Sequence, residues 1–283
     1  MIKWLEKIGI RDLTHIKERR FLLIAGPCVI NDPSETENIA KALIEITDSL
    51  EIPFVFKASY DKANRTSIKS NRGVGIKTGL AVLHHIRETY KIPVISDVHS
   101  VEEIKLAERI LDFIQIPAFL CRQTDLLITA AETKKIINVK KGQFLSPHDM
   151  KYIIEKINST GNNKTLITER GTSFGYNNLV NDFRGIPIMS QFSPVIFDAT
   201  HSVQTPGSEN GRSGGNRKYI PSLTRAAIAA GASGLFIEVH PNPDTSQSDS
   251  STIFPLSKLK LLLEEALEIY KLVGNFHKWE DSI

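Results

Sequence analysis

The segments FLLIAG at Phe21–Gly26 and ETENIAKALIEITDSL at Glu35–Leu50 decide the fold. The first is a short and continuously apolar run, which is typical of a strand buried on both faces of a parallel sheet. The second places Ile39, Leu43 and Ile46 on one helical face, after an Asn-Asp-Pro-Ser start signal. Together they predict a strand followed by a helix.

The same alternation recurs along the chain. Further apolar runs are Pro53–Ser59, Pro93–His99, Asp112–Ala118, Ile136–Gly142, Thr165–Gly171, Pro194–His201 and Gly234–His240. Helical patterns follow at Gly79–Tyr90, Val101–Ile110, Leu126–Lys135, Asp149–Ser159, Ser222–Ala230 and Leu256–Val273. Eight apolar runs alternating with helices predict an α/β protein of the (β/α)8 or TIM-barrel type. The rival is a doubly wound open sheet, which usually carries a glycine-rich phosphate loop that Ala-Gly-Pro-Cys does not match.

Length and composition fit one globular domain. The chain has 283 residues, of which 41% are hydrophobic and 24% are charged, and these values exclude a disordered or collagen-like protein. Because a (β/α)8 barrel takes about 250 residues, we expect residues 1–283 to form a single domain. Residues 1–20 then form an N-terminal extension that caps the bottom of the barrel. Two cysteines cannot form a disulfide framework.

Charge and hydropathy indicate the kind of partner. The formal net charge is +3 with both signs mixed along the chain, which does not favour a nucleic-acid partner. No uncharged apolar run approaches the length of about 18 residues that a membrane span needs. Met1–Arg20 is charged throughout and lacks the apolar centre of a signal peptide. We therefore expect a cytoplasmic protein that binds neither nucleic acid nor membrane.

Polar or reactive side chains stand at the end of every predicted strand. Active sites of (β/α)8 barrels lie at this carboxyl-terminal face, and a buried charge is costly unless it is paired or bound to metal. A salt bridge to a helix would explain one such residue, but their presence on all the strands indicates a site. In barrel order they are Cys28, Lys57 with Ser59, Asp97 with His99, Gln115, Lys140 with Lys141, Glu169 with Arg170, His201, and Glu238 with His240.

One subset combines a thiolate, an imidazole and two carboxylates, namely Cys28, His201, Glu238 and, in the loop after the last strand, Asp249. Such a mixed set suits a divalent transition metal such as zinc, iron(II) or manganese(II). The residues are far apart in sequence, so this prediction depends on the first, seventh and eighth strands being neighbours in a closed barrel. The alternative for Cys28 alone is a small buried core residue.

A second subset is cationic and suits phosphate or carboxylate, because arginine offers bidentate contacts to both. The alternative is a solvated basic rim. A Schiff-base aldolase is a further interpretation of a barrel lysine, but the presence of several lysines and a competing metal site counts against it. The members are Lys57, Lys62, Arg65, Arg122, Lys140 and Arg170, with the hydroxyls of Ser59 and Thr66.

Three loops follow strands at the same face. DKANRTS at Asp61–Ser67 mixes small, polar and basic residues, as a phosphate-binding loop would. TPGSENGRSGGN at Thr205–Asn216 is rich in glycine and serine, which predicts either a mobile lid or a plain flexible loop. NPDTSQSDSST at Asn242–Thr252 is polar and contains Asp249.

Long motifs then reveal a resemblance that covers nearly the whole chain. In order they are IAGPC at Ile24–Cys28, KASYDKANRTS at Lys57–Ser67, SDVH at Ser96–His99, QIPAFLCRQTDLL at Gln115–Leu127, NVKKGQFLSP at Asn138–Pro147, ERGTSFGYNNLVND at Glu169–Asp182, FDATHSVQTPG at Phe197–Gly207 and FIEVHPNPD at Phe236–Asp244. On these motifs the chain resembles the 3-deoxy-D-manno-octulosonate 8-phosphate synthase family.

The resemblance implies a barrel that assembles as a homotetramer. It implies condensation of phosphoenolpyruvate with D-arabinose 5-phosphate and water, which gives 3-deoxy-D-manno-octulosonate 8-phosphate and phosphate in lipopolysaccharide precursor biosynthesis. One alternative is a 3-deoxy-D-arabino-heptulosonate 7-phosphate synthase, which normally has a Lys-Pro-Arg-Thr loop where this chain has KANRT at Lys62–Thr66. Another is an inactive sugar-phosphate-binding regulator, which the intact ligands and cations disfavour.

The resemblance also implies roles for individual residues. Phosphoenolpyruvate would be bound by Lys62, Lys140 and Arg170, with Lys57, Ser59, Gln115 and Ala118 around it. Arabinose 5-phosphate would be held by Asn64, Arg65 and Thr66, of which the last two reach the sugar phosphate in a neighbouring subunit's site. Asp97 would lie near the reacting aldehyde, and we expect Lys140 rather than Lys141 to face the substrate. The catalytic set is Lys62, Asp97, Lys140, Arg170 and His201.

The same resemblance bears on the metal. Metal-dependent members of the family have cysteine after Ala-Gly-Pro, where metal-independent members have asparagine. Cys28 therefore implies the metal-dependent branch, with Cys28, His201, Glu238 and Asp249 as the ligands.

Overall fold

The computed structural model describes residues 20–65, 67–68, 70–209, 212–246 and 248–276. Its centre is a closed barrel of parallel strands: β1 (Leu22–Gly26), β2 (Phe54–Lys57), β3 (Val94–Asp97), β4 (Phe113–Ile116), β5 (Ile136–Lys140), β6 (Thr165–Glu169), β9 (Val195–Asp198) and β12 (Gly234–His240). The barrel closes because β1 pairs with both β2 and β12, which brings Gly26 opposite Glu238. The predicted (β/α)8 barrel is confirmed.

Helices surround the barrel, and eight of them lie in the described part of the chain. They are α1 (Pro33–Leu50), α2 (Ile76–Tyr90), α3 (Val101–Ala107), α4 (Thr124–Glu132), α5 (Met150–Asn158), α6 (Gly185–Ser190), α7 (Ile220–Ala229) and α8 (Leu256–Val273). The carboxylate of Asp32 caps α1, accepting from the N–H groups of Ser34 at 2.7 Å and Glu35 at 3.1 Å. Sequence analysis missed α6, because six residues with an internal Pro187 are too few for helical periodicity.

The inward face of the barrel changes from apolar to polar along each strand. Successive side chains of a strand point to opposite faces, so residues two positions apart share a face. The lower layer of the interior is apolar and consists of Leu22, Ile24, Val55, Ile95, Phe113, Ile136, Leu166, Ile196 and Phe236. Two residues further along the strands, the upper layer carries Lys57, Asp97, Gln115, Asn138, Thr168, Asp198 and Glu238, all of them buried.

A glycine lets the first two strands meet closely beneath the site. A Cβ atom on Gly26 would lie only 1.9 Å from the carbonyl oxygen of Lys57, so no side chain fits there. Two residues later the chain reaches Cys28, which is 2% exposed. The glycine of the IAGPC motif is therefore required by strand packing rather than by a phosphate.

Short hairpins extend from the same end of the barrel. β7 (Thr172–Ser173) pairs with β8 (Leu179–Val180), and β10 (Gln204–Glu209) pairs with β11 (Arg212–Gly215). A last short strand, β13 (Phe254–Pro255), runs beside β12. Most of residues 205–216, for which the sequence allowed either a mobile lid or a plain flexible loop, belong to the β10–β11 hairpin. Its closure as a lid stays a prediction.

Residues 1–19 lie outside the described residues, so the barrel-bottom cap stays a prediction, as does the assignment of residues 1–283 to one domain. Among the helices of the described residues, none has the length and apolar character needed to traverse a lipid bilayer.

Candidate active site

A cavity of about 820 Å³ lies at the carboxyl ends of the barrel strands. Most of the residues selected from the sequence line it, namely Lys57, Lys62, Asn64, Arg65, Asp97, Gln115, Ala118, Lys140, Arg170, His201, Glu238 and Asp249. Ser59 and Cys28 are buried beneath the lining rather than in it. Thr66 lies outside the described residues.

The upper layer of the barrel is a hydrogen-bonded network centred on Asp97. Ser59 donates to Asp97 Oδ2 at 2.7 Å, and Gln115 Nε2 donates to Asp97 Oδ1 at 2.7 Å. Behind Gln115, Asn138 Nδ2 donates to its Oε1 at 2.9 Å, and Thr168 donates to Asn138 Oδ1 at 2.7 Å. Both oxygens of Asp97 are therefore fixed in place. Ser59 supports this carboxylate and does not itself reach the cavity.

The charge of Asp97 is set by neighbouring lysines. Burial by itself would raise the pKa of Asp97, but the positive charges of Lys57 and Lys62 outweigh it and hold the pKa below its ordinary value. Lys57 Nζ lies 3.8 Å from Asp97 Oδ2 and 2.8 Å from Glu238 Oε1. Asp97 is thus an ionised acceptor at the cavity wall.

Cys28, Glu238 and Asp249 form a cluster in which one ligand atom of each lies within 4.8 Å of the others. Cys28 Sγ is 3.2 Å from Asp249 Oδ2 and 2.9 Å from Ser248 Oγ. Glu238 uses only one oxygen for its lysine contacts, and its buried Oε2 has no hydrogen-bond partner. Asp249 adopts a left-handed backbone conformation with φ of 49°, uncommon for a residue other than glycine.

His201 stands beside this cluster. Its Nε2 is 3.7 Å from Glu238 Oε2, while its Nδ1 is 2.8 Å from Asp198 Oδ2. Asp198 therefore holds one ring nitrogen so that the other points towards the cluster, as the outer partners of metal-bound histidines do. Sequence analysis missed Asp198. The available signal was a carboxylate at the end of a predicted strand, three residues before His201.

The thiol of Cys28 is not ionised by its surroundings. Burial raises the pKa of Cys28, and the charges of Glu238 and Asp249 raise it further against the opposing effect of Lys62. Glu238 behaves oppositely. Burial would raise its pKa, but Lys57 and Lys62 hold the pKa well below its usual range. A divalent cation would stabilise the deprotonated form of this thiol.

Arg170 lines the cavity and has one unpartnered nitrogen. The residue is 5% exposed, and its Nη2 donates to Gln204 Oε1 at 2.8 Å. Its Nη1 is buried and has no hydrogen-bond partner. Burial lowers the pKa of Arg170, against the charges of Asp198 and Glu169. An anion in the cavity would satisfy this guanidinium, because a buried donor without a partner is costly.

The adjacent lysines Lys140 and Lys141 point to different places. Lys140 lines the cavity, pairs with Asp198 and has its Nζ 3.6 Å from the centroid of the Phe236 ring. Burial lowers the pKa of Lys140, although Asp198 opposes the shift. Lys141 Nζ instead donates to Thr172 Oγ1 at 3.1 Å and to the carbonyls of Gly142 and Leu145. Lys141 therefore braces the loops outside the cavity.

The cavity carries nearly balanced charge. Its cations are Lys57, Lys62, Arg65, Lys140 and Arg170, and its carboxylates are Asp61, Asp97, Glu238 and Asp249. A phosphate adds a charge of about −1.5 to −2. Two phosphorylated ligands would therefore leave the cavity strongly negative unless a divalent cation joined them.

The sequence matches the DAHP synthetase I family over residues 7–273. A relative from Geobacter metallireducens, named 2-dehydro-3-deoxyphosphooctonate aldolase, is 52% identical over 268 residues, which are 94% of this chain and 98% of that protein. A protein of the same name from Granulibacter bethesdensis is 55% identical over 255 residues, 90% of each chain.

A third protein with this name, from Syntrophotalea carbinolica, is 47% identical over 272 residues, 95% of this chain and 98% of the relative. Such identity along almost the full length of both proteins, together with the closed barrel, establishes the relationship. The chain belongs to the DAHP synthetase I family, among the relatives named 2-dehydro-3-deoxyphosphooctonate aldolase.

Proposed function

We propose that the protein condenses phosphoenolpyruvate with D-arabinose 5-phosphate and water to give 3-deoxy-D-manno-octulosonate 8-phosphate and phosphate. The observation that carries the proposal is the unpartnered guanidinium edge of Arg170 beside Lys140, in a cavity large enough for two small phosphorylated molecules. The names of the relatives support the same reaction. We place it in the cytoplasm, in the synthesis of a lipopolysaccharide precursor.

The two substrates have separate groups of residues. Phosphoenolpyruvate would lie at Lys62, Lys140 and Arg170, where cations can bind its carboxylate and phosphate. Lys57, Gln115 and Ala118 complete this part of the wall, with Ser59 acting through Asp97. Arabinose 5-phosphate would lie towards Asn64 and Arg65, with Thr66 as the hydroxyl partner.

The buried donor set fits a divalent metal. The orphaned Glu238 Oε2 and the adjoining thiol and carboxylate offer sulfur and oxygen ligands, and His201 Nε2 adds an imidazole nitrogen nearby. This set suits zinc, iron(II) or manganese(II). Cys28, His201, Glu238 and Asp249 would hold the ion. When bound, such an ion supplies Lewis-acid polarisation of a substrate oxygen.

The residues of the cavity hold the two reactants in position for bond formation. The C2–C3 π electrons of phosphoenolpyruvate form the new bond from C3 to the aldehyde carbon of the sugar, whose oxygen takes up a proton. The oxygen of water bonds to C2, and the water loses a proton. The bond between C2 and the phosphate ester oxygen then breaks and its electron pair leaves with phosphate, while the new C2 hydroxyl loses its proton and becomes the ketone oxygen of the product. Lys140 and Arg170 stabilise the charge that gathers on carboxylate and phosphate, while the fixed Asp97 orients the sugar aldehyde.

We further propose a homotetramer in which a neighbouring subunit completes the site. Several large apolar side chains are exposed on loops around the cavity end of the barrel, and contact with a second copy would cover them. They are Ile68, Phe119, Phe144, Phe174 and Tyr176. Sedimentation equilibrium should give four times the mass of one chain. A monomer at assay concentration would contradict this assembly.

The reaction is tested by offering phosphoenolpyruvate with either arabinose 5-phosphate or erythrose 4-phosphate and measuring phosphate release. Release with arabinose 5-phosphate is the expected result. Release with erythrose 4-phosphate alone would instead identify a heptulosonate-phosphate synthase. Melting shifts on ligand binding without any turnover would indicate a sugar-phosphate-binding regulator.

A further inference from the structure

Gln204 links the two halves of the candidate site. It opens β10, is 7% exposed and lines the cavity. Its Oε1 accepts from Arg170 Nη2 at 2.8 Å, and its Nε2 donates to Asp249 Oδ1 at 3.3 Å. A single carboxamide therefore contacts both the guanidinium proposed to bind phosphoenolpyruvate and a carboxylate proposed to bind metal.

Only one orientation of this amide satisfies both neighbours. A guanidinium has donors only, and an ionised carboxylate has acceptors only. The carbonyl must therefore face Arg170, and the NH2 group must face Asp249. Glutamate at this position would repel Asp249, and an apolar side chain would leave a buried donor and a buried acceptor without partners.

The amide fixes the free edge of each neighbour. Because it occupies Nη2 of Arg170, the unpartnered Nη1 is left for an anion in the cavity. Because it occupies Oδ1 of Asp249, the Oδ2 atom is left towards Cys28 Sγ at 3.2 Å. Displacement of either neighbour would strain the hydrogen bond to the other.

The backbone around Gln204 is paired and closely packed. Gln204 pairs with Gly215 in the β10–β11 hairpin. A Cβ atom on Gly215 would lie 2.3 Å from Thr252 Cγ2, 2.7 Å from Val203 O and 3.2 Å from Gln204 Cα. The hairpin and the loop that carries Asp249 are thus packed together at Gln204, where the hairpin begins.

We propose that Gln204 is a positioning residue that couples metal binding at the Cys28–Glu238–Asp249 cluster to binding of the anionic substrate at Arg170. This inference rests on the proposed function. Coupling between sites is reciprocal and commonly amounts to about 5- to 150-fold in affinity. Metal should therefore tighten phosphoenolpyruvate binding, and phosphoenolpyruvate should tighten metal binding by the same factor.

The test uses full-length protein freed of metal by chelator. Cobalt(II) is titrated while the thiolate-to-cobalt absorption is recorded, and phosphoenolpyruvate affinity is measured by calorimetry with and without cobalt. In the wild type we expect phosphoenolpyruvate to bind at least about fivefold tighter with cobalt. In Gln204→Met this factor should fall to within about twofold, and cobalt affinity should fall by about tenfold or more, as for other partners that orient metal ligands.

Two further variants make the result specific. Gln204→Glu can still accept from Arg170 but cannot donate to Asp249, so it should also lose the coupling. This variant keeps the test decisive if Gln204→Met proves unstable. The exposed Gln191 provides the matched control, and Gln191→Met should keep the wild-type coupling. Thermal melting establishes that each variant is folded.

The outcomes separate this inference from the proposed function. Wild-type coupling in both folded Gln204 variants would overturn the role of Gln204. Absence of the cobalt–thiolate absorption in the wild type would overturn the metal assignment and this inference with it. Coupling that is present in the wild type and lost in the folded Gln204 variants would support the role of Gln204, and if that wild type releases no phosphate with arabinose 5-phosphate, only the proposed reaction is overturned.

Discussion

The lower and upper layers of the barrel interior share the same strands and the same inward face, but they differ in chemistry. In the lower layer, nine apolar side chains from the strands, among them Leu22 and Phe236, pack as a core. Their burial stabilises the fold. In the upper layer, charges are buried and most are paired, as between Lys57 and Glu238 or Lys140 and Asp198. Two buried polar atoms without a hydrogen-bond partner, Arg170 Nη1 and Glu238 Oε2, belong to residues that line the cavity. Buried charged and polar side chains therefore distinguish the functional end of the barrel from its apolar core.

The largest expected effect on activity comes from Arg170. Arg170→Met removes the unpartnered guanidinium, and we expect kcat/KM for phosphoenolpyruvate to fall by about 100- to 1000-fold, as for loss of one group that stabilises transition-state charge. The exposed Arg225, paired with Glu265, is the matched control. Arg225→Met should retain wild-type kinetics. A fall of less than about tenfold in Arg170→Met would contradict its role.

The two cysteines should differ in metal binding. Both are buried, but only Cys28 adjoins the carboxylate cluster. Cys28→Ala should weaken metal binding by about tenfold or more, while Cys121→Ala should leave metal content unchanged. Chelator should abolish phosphate release by the wild type, and added divalent metal should restore it. Full activity of exhaustively demetallated protein would contradict a metal requirement.

A lower-layer substitution should affect stability instead of chemistry. Leu166→Ala removes a fully buried side chain from the apolar layer and should lower the free energy of unfolding by about 2–5 kcal/mol. Urea unfolding measures this loss. The kcat of the folded variant should stay near the wild-type value, because no cavity residue is altered. A fall in kcat as large as that of Arg170→Met would remove the distinction between the layers.

The smallest expected effect is the pH dependence that Asp97 contributes. Burial would raise the pKa of Asp97, but Lys57 and Lys62 hold it below the unfolded value of about 3.9. In acid the unfolded state therefore binds more protons than the folded state. The stabilisation of the fold by ionised Asp97 is fully present above the unfolded pKa and is lost as pH falls through the folded pKa. As pH is lowered from 5 to about 3, the urea midpoint of Asp97→Asn should fall less steeply than that of the wild type. Parallel curves for both proteins would contradict this assignment.

Much of the fold follows from the sequence because barrel strands are continuously apolar. Each of the eight predicted apolar runs contains a barrel strand, and Leu256–Val273 is confirmed with both ends as predicted. The helix α6 and the short hairpins are too brief to give a periodic pattern in the sequence. The pattern that predicts α3 runs to Ile110, beyond the end of the helix at Ala107.

The candidate site was less accessible from sequence, because its contacts form only when distant strands meet. Cys28 and Ser248 are 220 positions apart, yet their side chains lie 2.9 Å from each other. Gln204 and Asn138 resemble ordinary polar residues in sequence, and only the closed barrel shows what they connect. Ser59 illustrates the opposite case, since its position after a strand suggested substrate contact, but its hydroxyl supports Asp97.

We propose that the upper layer brings two phosphorylated substrates together so that a carbon–carbon bond forms and phosphate leaves by C–O cleavage. The most direct test is turnover of phosphoenolpyruvate and arabinose 5-phosphate in 18O-labelled water, with both products analysed by mass spectrometry. We expect the label at C2 of an eight-carbon sugar acid phosphate and none in the released phosphate. Label in the released phosphate, or phosphate release without an eight-carbon product, would contradict it.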